Sequence, residues 1–197
     1  MKNSKLKYIA KIGILAAIAA VVQLIAFPLP FIAPSFYDMD LSDVPALIGA
    51  FSLGPVAGVI IEFIKNCLHI VIKGTSTAFV GEFANFITGC ALVLPASIIY
   101  KYRKNLKSAV IGMLVSIASF VVVGALLNYF VLIPTFSELF KLPLDSIVAM
   151  GTEINPYITD LKTLVIISVA PFNFLKSLAV SVVTILLYKR VSPVLHI

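Results

Sequence analysis

Glu62, Lys65, Asn66 and His69 follow one another at i, i+3, i+4 and i+7 in a stretch otherwise rich in Ile, Val, Phe and Leu. On a helix this spacing makes one polar stripe. A carboxylate, an ammonium, an amide and an imidazole together could hold a polar ligand, move a proton, or neutralise one another. Glu62 and Lys65 are placed to pair, which is the least costly way to keep either charge away from water. The pair therefore reads either as a device that fixes helix packing or as the border of a site. His69 alone reads as structural, because a metal site would need a second His or a Cys close by.

A second set lies further along. Glu82 and Asn85 are i, i+3 on the next apolar segment, with Gly81 and Gly89 beside them. Asn128 falls near the end of another, and Asn173 and Lys176 are again i, i+3, just after Pro171. Amides both donate and accept hydrogen bonds. Several amides with one ammonium suit a neutral ligand rich in heteroatoms better than a strongly anionic one. Each Asn could instead join helices, but their common placement toward one end of their segments points to a shared pocket. Pro171 is expected to kink its helix and free a carbonyl. Gly13, Ala16, Ala17 and Ala20 give the first segment a small-residue face, with Ala16 and Ala20 in small-xxx-small spacing, suited to close helix contact inside the bundle or with another subunit.

The elements that must position these groups are membrane helices. The chain has 197 residues, 60% hydrophobic and 12% charged, with no Trp, and a soluble domain carries roughly twice that charged share. Segments of about 7–27, 56–72, 78–100, 108–132 and 161–188 are long enough to span a bilayer. A shorter helix follows Ser42 or Asp43, either of which could cap it, and ends at Gly54-Pro55. At roughly ten residues it must dip in, tilt or line a cavity. The basic start, apolar run and Ala17-Ile18-Ala19 imitate a signal peptide, but the apolar run continues to Phe27 and reads as the first membrane helix.

The net charge of +6 belongs to topology rather than to nucleic acid. Lys2, Lys5, Lys7 and Lys11, then Lys101, Arg103, Lys104 and Lys107, then Lys189 and Arg190 form three acid-free clusters, the asymmetry of cytoplasmic loops. The loop holding Asp38, Asp40 and Asp43, and the long segment 135–160, fall on the other side. The expected fold is an all-α membrane protein: one domain, residues 1–197, a six-transmembrane-helix bundle with a short second helix and both termini cytoplasmic. Cys67 and Cys90 read as buried thiols, without a CxxC pair. There is no GxxxxGK[ST] loop for nucleotide and no HExxH. Gly74-Thr75-Ser76 lacks the GxSG form of an intramembrane protease, and His69 and His196 are the only histidines.

The FPLPF break, DLSDVPALIGAFSLGPVAGVIIEFIKN, GTSTAFVGEFANF, Asn128 and the PFNFLK run resemble the riboflavin-specific substrate-binding subunits, or S components, of energy-coupling factor (ECF) transporters, over nearly the whole chain. The resemblance implies a non-enzymatic subunit in the bacterial cell membrane that captures riboflavin from outside. It implies no cofactor and no metal. The partners would be a membrane coupling protein and two ATPase subunits that supply the energy. It implies a lid over the vitamin around Phe36, Tyr37, Asp40 and Leu41. Thr75, Glu82, Asn85, Asn128, Asn173 and Lys176 are the polar contacts it suggests, and Ala16 and Ala20 the docking face for the coupling protein. Three alternatives stay open: an S component for another vitamin, a membrane enzyme using Glu62, Glu82 or His69 in acid–base chemistry, and a purely structural membrane subunit.

Overall fold

The computed structural model describes the backbone of residues 2–195 and the side chains of residues 4–188. His196 and the side chains of Lys2, Lys189 and Arg190 lie outside the described residues. Helix α1 (Lys2–Gln23) is followed by two short strands, β1 (Phe27–Pro28) and β2 (Asp38–Met39), paired antiparallel with Phe27 opposite Met39. The proline-broken segment after α1 is thus a pinned flap, and α1 ends at Gln23 rather than at Phe27.

Helix α2 (Asp43–Leu53) turns at Gly54 into α3 (Pro55–Lys73). Gly54 has φ 105°, a conformation that an L side chain resists, and Pro55 fits the first turn of α3 because its missing N–H has no partner there. Neither expected cap forms on α2: the Ser42 hydroxyl has no partner, and the Asp43 carboxylate is drawn to the buried Lys65 ammonium. Residues Asp43 through Phe51 are all buried. A helix that is apolar on every side belongs in a bundle centre, and α2 touches α1, α3, α4 and α9 there.

Helix α4 (Val80–Tyr102) carries Pro95 in its interior and packs closely on α5 (Leu106–Leu127). The approach is close because Gly112 has no side chain: a Cβ there would meet the Ala96 carbonyl oxygen at 2.8 Å. The rod does not stop at 132, the expected end of the apolar segment. The rod continues through a π-helical turn, Asn128–Leu132, into α6 (Ile133–Leu139), where Pro134 occupies the tolerated first turn. The long segment 135–160 holds α7 (Leu144–Thr152), whose Ile147 and Val148 form a satellite core with Ile158 and Leu164. The last rod runs from α8 (Leu161–Leu164) through a second π-helical turn, Val165–Val169, into α9 (Ala170–Leu195). The kink expected from Pro171 takes the form of that turn, just before it.

Among the described residues, five helical rods are long and apolar enough to cross a bilayer: Ser4–Gln23, Pro55–Lys73, Val80–Tyr102, Leu106–Leu139 and Leu161–Tyr188. Their outward faces carry residues such as Ile14, Ile18, Phe63, Val122 and Leu186. Phe51, Tyr100 and Tyr188 meet ring to ring, which gathers the ends of α2, α4 and the last rod. At that end the Gly54 turn shares a cavity of about 180 Å³ with Lys101 and Lys104. A turn with no basic residue of its own therefore sits among the basic ones. Ala16 and Ala20 face inward, 0% and 1% exposed, because α1 uses them to approach the core. This corrects the expectation that they offer a docking face. The outward small residues are Ala10, Gly13 and Ala17, and a Cβ on Gly13 would meet nothing within 4 Å.

Candidate functional site

A cavity of about 320 Å³ opens at the end of the bundle away from the Gly54 turn. Its walls come from the end of α1, the flap, the end of α3, the start of α4, the first π-helical turn and the start of α9. Each element brings a polar group out of an otherwise apolar helix.

The flap closes one side with aromatic and ionic contacts. Phe36 and Tyr37 have ring centroids 4.6 Å apart, Phe36 meets Phe136 at 6.4 Å and Tyr37 meets Phe172 at 5.7 Å. The Tyr37 hydroxyl donates to Asn128 Oδ1, while Asn128 Nδ2 donates to the Gly124 carbonyl at 2.8 Å. Burial pushes the Tyr37 phenol far above its ordinary value, so it stays a neutral donor. Lys176 Nζ donates to Asp40 Oδ2 at 2.7 Å, and Ser42 N–H to Asp40 Oδ1 at 2.8 Å. Burial alone would raise the Asp40 carboxyl, but Lys176, with Lys65 behind it and these two hydrogen bonds, holds it well below the usual carboxylate range.

Another wall is the turn into α4. Glu82 Oε2 accepts from Thr77 Oγ1 at 2.8 Å and Thr75 Oγ1 at 3.1 Å. Thr75 Oγ1 in turn accepts from the backbone N–H of Thr77 and Phe79. These bonds hold Ala78 and Phe79 at positive φ, 48° and 69°, an uncommon conformation for residues other than Gly. Around the cavity, Gln23 Oε1, His69 Nδ1 and Asn173 Nδ2 are buried with no protein partner. Unpaired buried polar atoms are costly, so a wall with several of them is built for a ligand that pairs with them. Gly124 makes room for one: a Cβ there would lie 2.4 Å from Asn173 Nδ2.

Of the residues expected from sequence, Phe36, Tyr37, Asp40, Glu82, Asn85, Asn128, Asn173 and Lys176 line this cavity. Leu41 and Thr75 do not. Leu41 packs on the main core, and the Thr75 hydroxyl faces Glu82 from behind. The stripe on α3 divides. Glu62 and Lys65 stay out of the cavity, where Lys65 Nζ meets Glu62 Oε2 and Asp43 Oδ1, each at 2.6 Å, with all three side chains at most 1% exposed. Gly89 gives Glu62 its place, since a Cβ there would meet Glu62 Oε2 at 2.5 Å. His69, read as structural, borders the cavity instead. Gln23, Thr77 and Thr88 were missed. Thr88 lies three residues beyond Asn85, so extending the Glu82–Asn85 spacing would have found it. No group of three or more His, Cys, Asp or Glu able to hold a metal occurs among the described residues. Cys67 is exposed on the outside of α3 and Cys90 half-buried, rather than both buried as expected.

The arrangement is one of binding: aromatic rings of the flap and its neighbours, together with unpaired amide and imidazole groups, line one cavity. Comparison with known proteins agrees. The family model for the substrate-specific component of ECF transporters matches residues 7–188. The chain is 36% identical to the riboflavin transporter RibU of Staphylococcus aureus (strain TCH60) over 186 residues, 94% of this chain and 90% of that one. It is 32% identical to the riboflavin transporter FmnP of Bacillus subtilis (strain 168) over 192 residues, 96% and 94% of the two. A solved S component of a bacterial ECF transporter superposes with a TM-score of 0.77 at 34% identity, covering 97% of this chain and 98% of the other. These relatives are transport proteins rather than enzymes, and this chain belongs to the substrate-specific components of ECF transporters.

Proposed function

We propose that this chain captures riboflavin for uptake across the bacterial cell membrane, as the binding subunit of an ECF transporter. The observation that carries the reading is the mixed lining of the cavity. Phe36, Tyr37, Phe136 and Phe172 offer an apolar aromatic wall, while Asn173, Gln23 and His69 offer unpaired polar atoms. Riboflavin matches both kinds of group, with a flat ring, one apolar end, a polar edge and a hydroxylated tail. Asn85, Asn128, Asn173 and Glu82 are its polar contacts, and Phe36, Tyr37 and Asp40 belong to the flap that covers it. Leu41 and Thr75 support the flap and Glu82 from behind.

The chain works as one membrane-embedded unit of six passes, with α2 as a short central pass and both termini in the cytoplasm. The basic Lys101–Lys107 turn, the Gly54 turn beside it and the opposite placement of the cavity support this orientation. Lacking a phosphate-binding loop, the chain must borrow energy, from a membrane coupling protein and two ATPase subunits. The docking surface on α1 is the outward face of Ala10, Gly13 and Ala17, where small side chains let another helix approach closely.

The absorption spectrum of the purified protein tests the ligand: bound flavin is visible directly, and added riboflavin loses its fluorescence on binding. Tight binding of thiamine or folate with none of riboflavin would refute the assignment. For docking, Gly13→Trp and Ala17→Trp should stop uptake while leaving flavin binding intact. Normal uptake by both variants would remove this face from the coupling contact.

A further inference from the structure

Charge within the cavity is unevenly compensated. Its charged lining is Asp38, Asp40, Glu82, Lys73 and Lys176, with His69 beside them. Asp38 and Lys73 are exposed at the rim and opposite in sign. Asp40 and Lys176 are buried and neutralise each other at 2.7 Å. Glu82 is what remains: it is 9% exposed, and its recorded partners, Thr75 and Thr77, are hydroxyls that carry no charge. Both bonds fall on Oε2.

We infer that Glu82 sets the charge selectivity of the cavity, favouring neutral, hydroxyl-bearing ligands and rejecting their phosphate esters. This deepens the riboflavin reading and rests on it. A carboxylate in a partly desolvated cavity repels an anion far more strongly than it would in water, because the effective dielectric constant is low. The ammonium that could offset a phosphate, Lys176, is held by Asp40, and releasing it would leave the buried Asp40 unpaired. Lys73 at the rim is screened by solvent and salt. Toward a neutral ligand the same carboxylate is an asset, since a hydroxyl or imide N–H can donate to it in a charge-assisted bond.

The test measures fluorescence quenching of riboflavin and of riboflavin 5′-phosphate on the full chain in detergent, at low and high salt. The wild type should bind riboflavin at least about tenfold more tightly than its phosphate ester. Glu82→Gln should shrink that ratio several-fold, and Glu82→Asp, which keeps the charge, should preserve most of it. Because Glu82→Gln also removes an acceptor and could lose binding altogether, Ser76→Lys is the second variant. It adds an ammonium at the rim of the same wall and should narrow the ratio in a salt-dependent way. Equal binding of both flavins by the wild type overturns the inference, as does a ratio unchanged in both charge-altering variants. Failure of the wild type to bind riboflavin at all is a different result: it removes the functional reading, and this inference falls with it.

Discussion

Two ionic clusters draw on acids that are near neighbours in the chain, Asp40 and Asp43, and they do different things. In the core, Lys65 holds Asp43 and Glu62, fully enclosed between α2 and α3. On the cavity wall, Lys176 holds Asp40 across 136 residues of sequence. The chemistry and the distances are nearly the same. What differs is the surroundings: the first cluster has only protein around it, whereas the second faces a space that a ligand can enter. A charge that is sealed specifies packing, and a charge at a cavity wall can respond to a visitor.

The largest effect should come from breaking the sealed cluster. Lys65→Met leaves two buried carboxylates without a partner, a loss of about 3–5 kcal/mol, or roughly 10 °C in the thermal midpoint in detergent. Lys176→Met also strands a buried carboxylate, Asp40, but one that borders the cavity and can be reached by water. It should cost less stability than Lys65→Met and mainly weaken flavin binding, because the flap loses its tie. If the two variants destabilise equally, the distinction between the clusters collapses. Next is Gly124→Ala, which touches neither cluster. Its Cβ must push Asn173 from its place, and flavin affinity should fall about tenfold for a lost or strained hydrogen bond. Unchanged affinity would show that Asn173 is not a contact. Tyr37→Phe removes only the flap's bond to Asn128, worth about 0.5–1.5 kcal/mol. Stopped-flow release of flavin should quicken by a few-fold, and an unchanged rate would show that the aromatic contacts alone hold the flap.

The smallest effect concerns pH. The Asp40 carboxyl is depressed in the folded protein by Lys176 and Lys65 against the cost of burial. A depressed carboxylate contributes stability that is present above its unfolded value of about 3.9 and is lost as pH falls through the folded value. Flavin affinity should therefore be flat in this pair's contribution from pH 5 to 8. A fall in affinity within that window that persists in His69→Gln and disappears in Asp40→Asn would show that the Asp40–Lys176 tie is not locked; one that disappears in His69→Gln belongs to the imidazole at the cavity wall.

Much of this was legible in the sequence, for a definite reason. In lipid, polar side chains are expensive, so Glu62, Glu82, Asn85, Asn128, Asn173 and Lys176 stood out against their neighbours, and most of them proved to line the cavity. The partners of those groups were not legible. Nothing local links Asp40 to Lys176 or Asp43 to Lys65, because only the fold brings them together. The face of α1 was misread for a related reason. Ala16, Ala17 and Ala20 look alike, and their composition cannot tell which of them turns toward α2. The end expected at 132 came too early because Pro134 falls in a first turn, where a proline does not stop a helix, and the π-helical turn before it resets the count. His69 looked isolated in sequence because its neighbours in the cavity come from other helices.

Central placement of so short a helix has a consequence for how the protein is made. At 11 residues, α2 cannot be held by a bilayer alone, and α3 carries Glu62 and Lys65 into lipid with it. Closing the hairpin at Gly54 joins Asp43 to Lys65, turning two poor insertion segments into one acceptable one. The pair should therefore leave the insertion machinery together rather than in turn. In glycosylation mapping of the nascent chain, Lys65→Met would then misplace α2 as well as α3.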